Sequence, residues 1–234
     1  MGQSFFIWKN ADCRSMGITL AAPAQIVRGE ERVSHVTIPG RPGELTMTEG
    51  DNIYQSYIQT VSIQGRGAYR MREILNWLKG SDYVTFGAEP DRKQKARIIG
   101  AVSMNRHSKN TDYWTGEVQF YCEPLKMLLM SKSNDVANGD TVVNTGDVTE
   151  KPAISFKAGA TSATISIGTK TLTMTGLTAN EVYLIDSDAE MLTHGNENMT
   201  ANTSGAFPVL APGSNAFGCT NCSAVTIYRR ERFL

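Results

Sequence analysis

Residues 163–175 read Ala-Thr-Ile-Ser-Ile-Gly-Thr-Lys-Thr-Leu-Thr-Met-Thr, and this run limits the fold more than any other in the chain. Ile165 and Ile167 fall on one side of an extended backbone, and Leu172 and Met174 on one side of the return. The residues between them are small or polar. A period of two puts one face against a core and the other against water, which marks strands and not helices. Gly168-Thr-Lys170 supplies the reversal, so the run predicts a β-hairpin. The same rhythm continues at Val182–Asp186, Met191–Thr193, Phe207–Leu210 and Ala224–Arg229, at the spacing of a β-sandwich.

The first half is also strand-rich. In 56–65 the apolar Tyr57, Val61 and Ile63 alternate with polar residues, and Val33–Ile38, Arg97–Met104 and Tyr113–Tyr121 read as further strands. One segment differs. From Ala68 to Lys79, Met71, Ile74, Leu75 and Leu78 recur at helical spacing, with Gly80 as the stop, which predicts one amphipathic helix plugging a sheet or barrel. Trp77 reads as core or interface packing. After Pro124 the composition shifts to Ser, Asn, Asp, Gly and Thr over 131–152, with turn signals at Asn138-Gly139 and Thr145-Gly146. The expected organisation is mainly β, with an N-terminal domain over 1–133 and a C-terminal β-sandwich over 134–234. At 234 residues the chain can bury its cores without metal or disulfide staples.

Charge narrows the function. Lys plus Arg and Asp plus Glu number 23 each, a balance that argues against a strongly electrostatic nucleic-acid or membrane binder. The opening Met-Gly-Gln-Ser-Phe-Phe-Ile-Trp-Lys has no basic region and no long apolar run, and no stretch has the roughly 18 to 20 apolar residues of a membrane helix. Assembly in the cytoplasm is the expectation, with Cys13, Cys122, Cys219 and Cys222 reduced there and the sequons at Asn198, Asn202 and Asn221 without glycosylation meaning.

The search for catalytic chemistry returns little. Gly65-Arg-Gly67 lies between a strand and a helix, but Arg70 occupies the third glycine position of a dinucleotide turn and no βαβ unit follows, so it reads as a tight turn. Asp186-Ser-Asp188-Ala-Glu190 spaces acids as a Ca²⁺ loop does, yet Met191 stands where an EF-hand needs glycine, leaving an acidic hairpin tip. Cys219-Thr-Asn-Cys222 has the spacing of half a zinc site or a redox pair. The other cysteines and His35, His107 and His194 are scattered, so the alternative is a thiol pair on a loop, able to form a disulfide outside the cell. No catalytic residue, metal ligand set or cofactor site is expected.

Pro39, Gly40, Arg41, Pro42 and Gly43 form a different kind of feature. Two prolines and two glycines hold a turn and present one guanidinium at its tip. It is either a hairpin turn with an exposed charge or an anchor between subunits, a place where arginine is favoured for its forked donors.

In order, the chain carries Phe6-Ile-Trp8, Met16-Gly-Ile-Thr-Leu20, the run from Arg32 to Gly43, Ile74-Leu-Asn-Trp-Leu-Lys-Gly80, and Gly116-Glu-Val-Gln-Phe-Tyr-Cys-Glu-Pro124. Over roughly residues 4–126 this series resembles the N-terminal domain of the distal tail (Dit) proteins of long, flexible-tailed siphovirus-type bacteriophages. In the second half, Pro152–Phe156, Tyr183–Asp186 and Ala211–Asn215 sit where that family's galectin-like sandwich has comparable pieces. The resemblance implies a structural virion protein, not an enzyme. Six copies would form a homo-hexameric ring from their N-terminal domains, between the tail tube protein and the tail-tip or baseplate hub. The sandwiches would project outward, and DNA would cross the lumen only in transit. Two other readings compete: a carbohydrate-binding module drawing on Phe156, Tyr183, Phe207, Phe217, Tyr228 and Phe233, and a metal-dependent hydrolase using Asp186, Asp188 and His194.

Overall fold

The computed structural model describes residues 4–48, 50, 53–67, 70–107 and 112–234. The chain forms two compact units, Met1–Leu129 (with Leu234) and Met130–Phe233. Among the described residues no helix is long and apolar enough to cross a membrane.

Unit 1 is built on one curled antiparallel sheet. Its strands are β1 (Phe6–Trp8), β2 (Ala11–Asp12), β3 (Ile18–Leu20), β6 (Tyr57–Arg66), β7 (Ser81–Phe86), β8 (Arg92–Arg106) and β9 (Tyr113–Leu128), in the order β2-β1-β7-β8-β9-β6-β3. Two more strands, β4 (Val33–Thr37) and β5 (Glu44–Thr48), pair only with each other among the described residues. The alternation read in 57–65 places Val61 and Ile63 in the core, joined by Phe6, Trp8, Val84, Trp114, Val118 and Phe120. Phe120 is the hub: its ring meets Phe6, Trp8 and Phe86 edge-on at 5.5, 5.5 and 5.6 Å between centroids. Gly65 is required by close approach, because a Cβ there would sit 2.5 Å from Trp114 Cζ2 and 2.7 Å from the Gly17 carbonyl.

The predicted helix is α1, Met71–Trp77, and Ala68 and Tyr69 lie outside the described residues. Ile74 and Leu78 are buried and Met71 packs beside them, so the helix covers the sheet as expected. Leu75, however, is 37% exposed. Its place against the core is taken by Trp77, which stacks on Phe6 at 5.8 Å and accepts the Trp8 indole N–H at its carbonyl. A seven-residue helix presents only a narrow stripe, and the stripe runs through 71, 74 and 78.

Pro124 does not end the last strand of this unit; β9 continues through it to Leu128. The β8–β9 register slips between Gln94↔Lys126 and Ala96↔Cys122, leaving Glu123, Pro124 and Leu125 opposite Lys95 alone. A residue without an N–H is tolerated where the ladder is already interrupted.

Unit 2 is a sandwich of two sheets around one core. The first runs β10 (Ser133–Val136), β20 (Cys222–Tyr228), β12 (Ala153–Ala158), β15 (Val182–Asp186), β16 (Met191–His194), β17 (Glu197–Asn198). The second runs β11 (Thr141–Asn144), β19 (Gly213–Thr220), β13 (Ser162–Ile167), β14 (Lys170–Thr175), β18 (Thr203–Gly205). The predicted hairpin is present, with Ile165 opposite Leu172 and all four of its marked apolar side chains at most 1% exposed. Phe207–Leu210 is not a strand. Pro208 has no ladder donor, and only Leu210 makes a bridge, to Glu150.

Beneath this core lies a buried ionic cluster. Arg229 donates to Glu150 at 3.0 Å and to Glu231 at 2.9 Å, and also to the Val143 carbonyl. The three side chains are 4%, 0% and 1% exposed. The backbone N–H of Arg230 donates to the second Glu150 oxygen. Burial alone would raise the Glu231 carboxyl, but the Thr145 backbone and hydroxyl donors, with Arg229 and Lys132, hold it below its ordinary value.

Candidate functional site

The feature of unit 1 that its own core does not absorb is the β4–β5 arm. Pairing sets Val36 beside Leu45 and Ser34 beside Met47 on one face, and His35 beside Thr46 and Thr37 beside Glu44 on the other. The hairpin is therefore amphipathic. Yet Val36, Leu45 and Met47 are 43%, 39% and 52% exposed, and β5 is exposed along its whole length. Two strands alone are marginally stable in water, and this hairpin leaves its apolar face open. Pro39, Gly40, Arg41, Pro42 and Gly43 make the tip. The Arg41 N–H donates to the Ile38 carbonyl at 3.1 Å, Pro39 supplies the second turn position and Gly40 the third at φ +84°. That is a type II turn, and it requires glycine for its backbone angle.

The sheet beside the arm carries two open edges. β3 pairs with β6 only over Ile63–Gly65, and Ala21 adds one bond to Ser62. Below that, on the side away from β9, Tyr57–Val61 has no paired strand among the described residues, and residues 22–25 and Val27 form the far wall of a groove there. On the opposite side of the sheet, β7 pairs with β8 over Gln94–Arg97 and the Gly80 carbonyl takes the Ile98 N–H. Among the described residues the rest of β8, to Arg106, pairs only with β9. Between these edges the outward face is mostly uncharged and polar, with Thr60, Ser62 and Gln64 on β6 opposite Gln119, Glu117 and Thr115 on β9.

The remaining candidates lie apart from this surface. Asp186 is bound bidentately by Arg230 at 2.8 and 2.9 Å and also accepts the Asp188 and Ala189 N–H groups. His194 instead stacks on Tyr183 at 4.7 Å and lies 3.5 Å from Glu181. Among the described residues no three His, Cys, Asp or Glu side chains come together as a metal site. Of the aromatics considered for sugar binding, Phe156, Tyr183 and Phe217 are in the core, and Tyr228 is 45% exposed. Cys219 and Cys222 are free thiols, one next to the end of β19 and the other opening β20.

The Arg230 pair, first by its hydrogen bonds, lowers Asp186 from 3.8 to about 2. Its stabilisation is complete above the unfolded carboxyl value and is lost as pH falls from 3.8 towards about 2. The melting temperature of unit 2 should fall more steeply across that window in the wild type than in Asp186→Asn. Equal slopes in a pH series of thermal melts would show that the pair adds nothing.

No protein-family model matches the chain, and no curated protein matches it in sequence. Solved structures do. The phage p2 baseplate in its activated conformation with Sr matches at TM-score 0.45 and 10% identity, over 94% of this chain and 93% of that one. The crystal structure of the SPP1 Dit (gp 19.1) protein, described as a paradigm of the hub adsorption apparatus in phages infecting Gram-positive bacteria, matches at TM-score 0.79 and 19% identity. That match covers 98% of this chain and 99% of the SPP1 protein, so along almost its whole length the chain has the fold of a phage Dit protein.

Proposed function

We propose that this chain is a structural hub of a phage tail, a ring of identical copies between the tail tube and the tail-tip or baseplate proteins. The observation that carries the reading is the pair of open edges on opposite sides of one sheet, β6 on one side and β8 on the other. A closed ring needs heterologous, head-to-tail contacts, and two different edges facing opposite ways supply them. β6 and β8 both run antiparallel to β9, so they point the same way. Rotation about a ring axis preserves the axial component of strand direction, so with these strands running along the axis a junction of β6 with the next copy's β8 is parallel. The arm, with its unpartnered Val36, Leu45 and Met47, then clasps a neighbour. A mainly uncharged, polar sheet face suits a lumen that DNA crosses without sticking, since phosphate affinity comes from Lys and Arg. A hexamer and a galectin-like second unit follow from the Dit resemblance.

Replacing Val36, Leu45 and Met47 together by serine tests the arm. Each apolar side chain contributes about 1.5–3 kcal/mol when fully buried, so partial burial of all three is worth about 3 kcal/mol or more, on the order of 100-fold in association. The variant should stay folded, being changed only at exposed positions. Mass photometry should show it monomeric at concentrations where the wild type forms rings. A wild type that stays monomeric throughout, with no ring in electron micrographs beside its neighbouring tail proteins, would overturn the proposal. Glycan-array binding abolished by Tyr228→Ala would favour the carbohydrate reading instead.

A further inference from the structure

Cys219 and Cys222 are three residues apart, but strand pairing puts them in different sheets. Cys219 lies opposite Ile165 of the second sheet, and Cys222 lies opposite Ala158 of the first. Directly paired residues share a face, and both Ile165 and Ala158 are buried in the sandwich core. Both thiols therefore face inward, one from each sheet.

The inward turn of Cys222 depends on an irregularity. Counting alternate residues back from Ile227 and Val225 would place Ser223 inside and Cys222 outside. Between Ser155↔Thr226 and Lys157↔Ser223, however, β20 carries one residue more than β12, and Ala224 takes φ +46° there. This bulge reverses the alternation beyond it and sends Cys222 into the space between the sheets.

The Cys222 Sγ then lies 3.4 Å from the Thr220 carbonyl and 3.8 Å from the Thr164 carbonyl, both in the second sheet. Thr164 and Thr220 are a register pair immediately beside the pair Ile165↔Cys219. Both cysteines pack at the margin of the same core. Cys13 and Cys122 are fully buried in unit 1.

We propose that Cys219 and Cys222 form an inter-sheet dithiol that closes to a disulfide when the chain meets a small disulfide oxidant such as oxidised glutathione. One thiolate attacks a glutathione sulfur and expels one glutathione thiolate, giving a mixed disulfide. The second cysteine loses its proton, attacks the protein sulfur of that bond and expels the other glutathione. Two S–H groups are replaced by one S–S bond, and the oxidant is reduced to two thiols. The bond ties β19 to β20 where the chain crosses between sheets, and so resists their separation. Burial raises both thiols, Cys222 to about 12 with the neighbouring Cys219 adding to the effect. Exchange is consequently slow at neutral pH and accelerates as pH rises. The proposal is independent of the ring reading.

The full native chain, equilibrated with reduced and oxidised glutathione at graded ratios, alkylated and mapped by mass spectrometry, tests the site. The expected product is a peptide spanning Cys219–Cys222 that has lost two hydrogens, while Cys13 and Cys122 are alkylated only after unfolding. The oxidised form should also melt at a higher temperature than the reduced form, a difference absent from Cys222→Ser compared under the same two conditions. Only glutathione adducts, or two free thiols, at every ratio that oxidises a control dithiol peptide would overturn the assignment. So would an internal disulfide that leaves the melting temperature unchanged.

Discussion

Arg229→Met is expected to destabilise unit 2 by about 3–5 kcal/mol, because it leaves two buried carboxylates facing each other without their shared cation. Glu150 and Glu231 are essentially solvent-free, and Arg229 lies between them at hydrogen-bonding distance. Methionine fills the space of the arginine stem but cannot donate to either carboxylate. Lys132, 3.4 Å from Glu231 and 56% exposed, is too solvated to take over. The effect is confined to one unit and can be read there. All three tryptophans, Trp8, Trp77 and Trp114, belong to unit 1. Far-UV circular dichroism during urea unfolding should show an early loss of strand signal while tryptophan fluorescence keeps its wild-type midpoint. If both probes keep their wild-type midpoints, the cluster contributes no net stability. The triple replacement of Arg229, Glu150 and Glu231 by apolar residues should recover most of the loss, since a well-packed apolar substitute is often as stable as a buried ion cluster.

The second large effect belongs to the other unit. Phe120→Ala should cost unit 1 about 3–5 kcal/mol, the usual range for truncating a buried aromatic. The upper end is expected here. Phe120 is completely buried and its ring makes three edge-on contacts, each worth about 0.5–1.5 kcal/mol beyond burial. Tryptophan fluorescence is the direct probe, because Trp8 is one of the three rings that lose contact. Its midpoint should move to lower urea while unit 2 keeps its transition. A shift below about 1 kcal/mol would mean that Phe6, Trp8 and Phe86 collapse into the space, the one route by which such a site escapes the cost of a cavity. The two variants together also measure whether the units unfold independently, which a single melting temperature for the whole chain would conceal.

Much of this architecture is legible in local sequence. Alternation in 163–175 predicts the β13–β14 hairpin and the burial of Ile165, Ile167, Leu172 and Met174. The spacing of Met71, Ile74 and Leu78 predicts the helix, and Pro39-Gly40 the turn at the arm's tip. Each of these is a short-range periodicity or a backbone preference, which a few neighbouring residues settle among themselves.

What local patterning missed has a common cause. Leu75 is left outside because Phe6, distant in sequence, stacks on Trp77, which packs against the core as its reading from the sequence has it. Tyr113–Tyr121 reads as the last strand of the first half, yet β9 runs on through Pro124 to Leu128, where its register with β8 breaks. Nothing local singles out Arg229 and Glu231, and only the approach of Glu150 makes them part of the interior. The arm's alternation at Val36, Leu45 and Met47 is that of a half-buried hairpin, but whether its apolar face meets a core depends on what packs against it.

The sequence by itself determined that this protein is β-rich with a helix around Met71–Trp77, because strand alternation and helical spacing act over a few positions. Only the tertiary structure decided which strands share a sheet, which edges stay open and on which side Cys222 lies. Those outcomes depend on register between distant segments, and a single extra residue in a strand reverses every side chain beyond it.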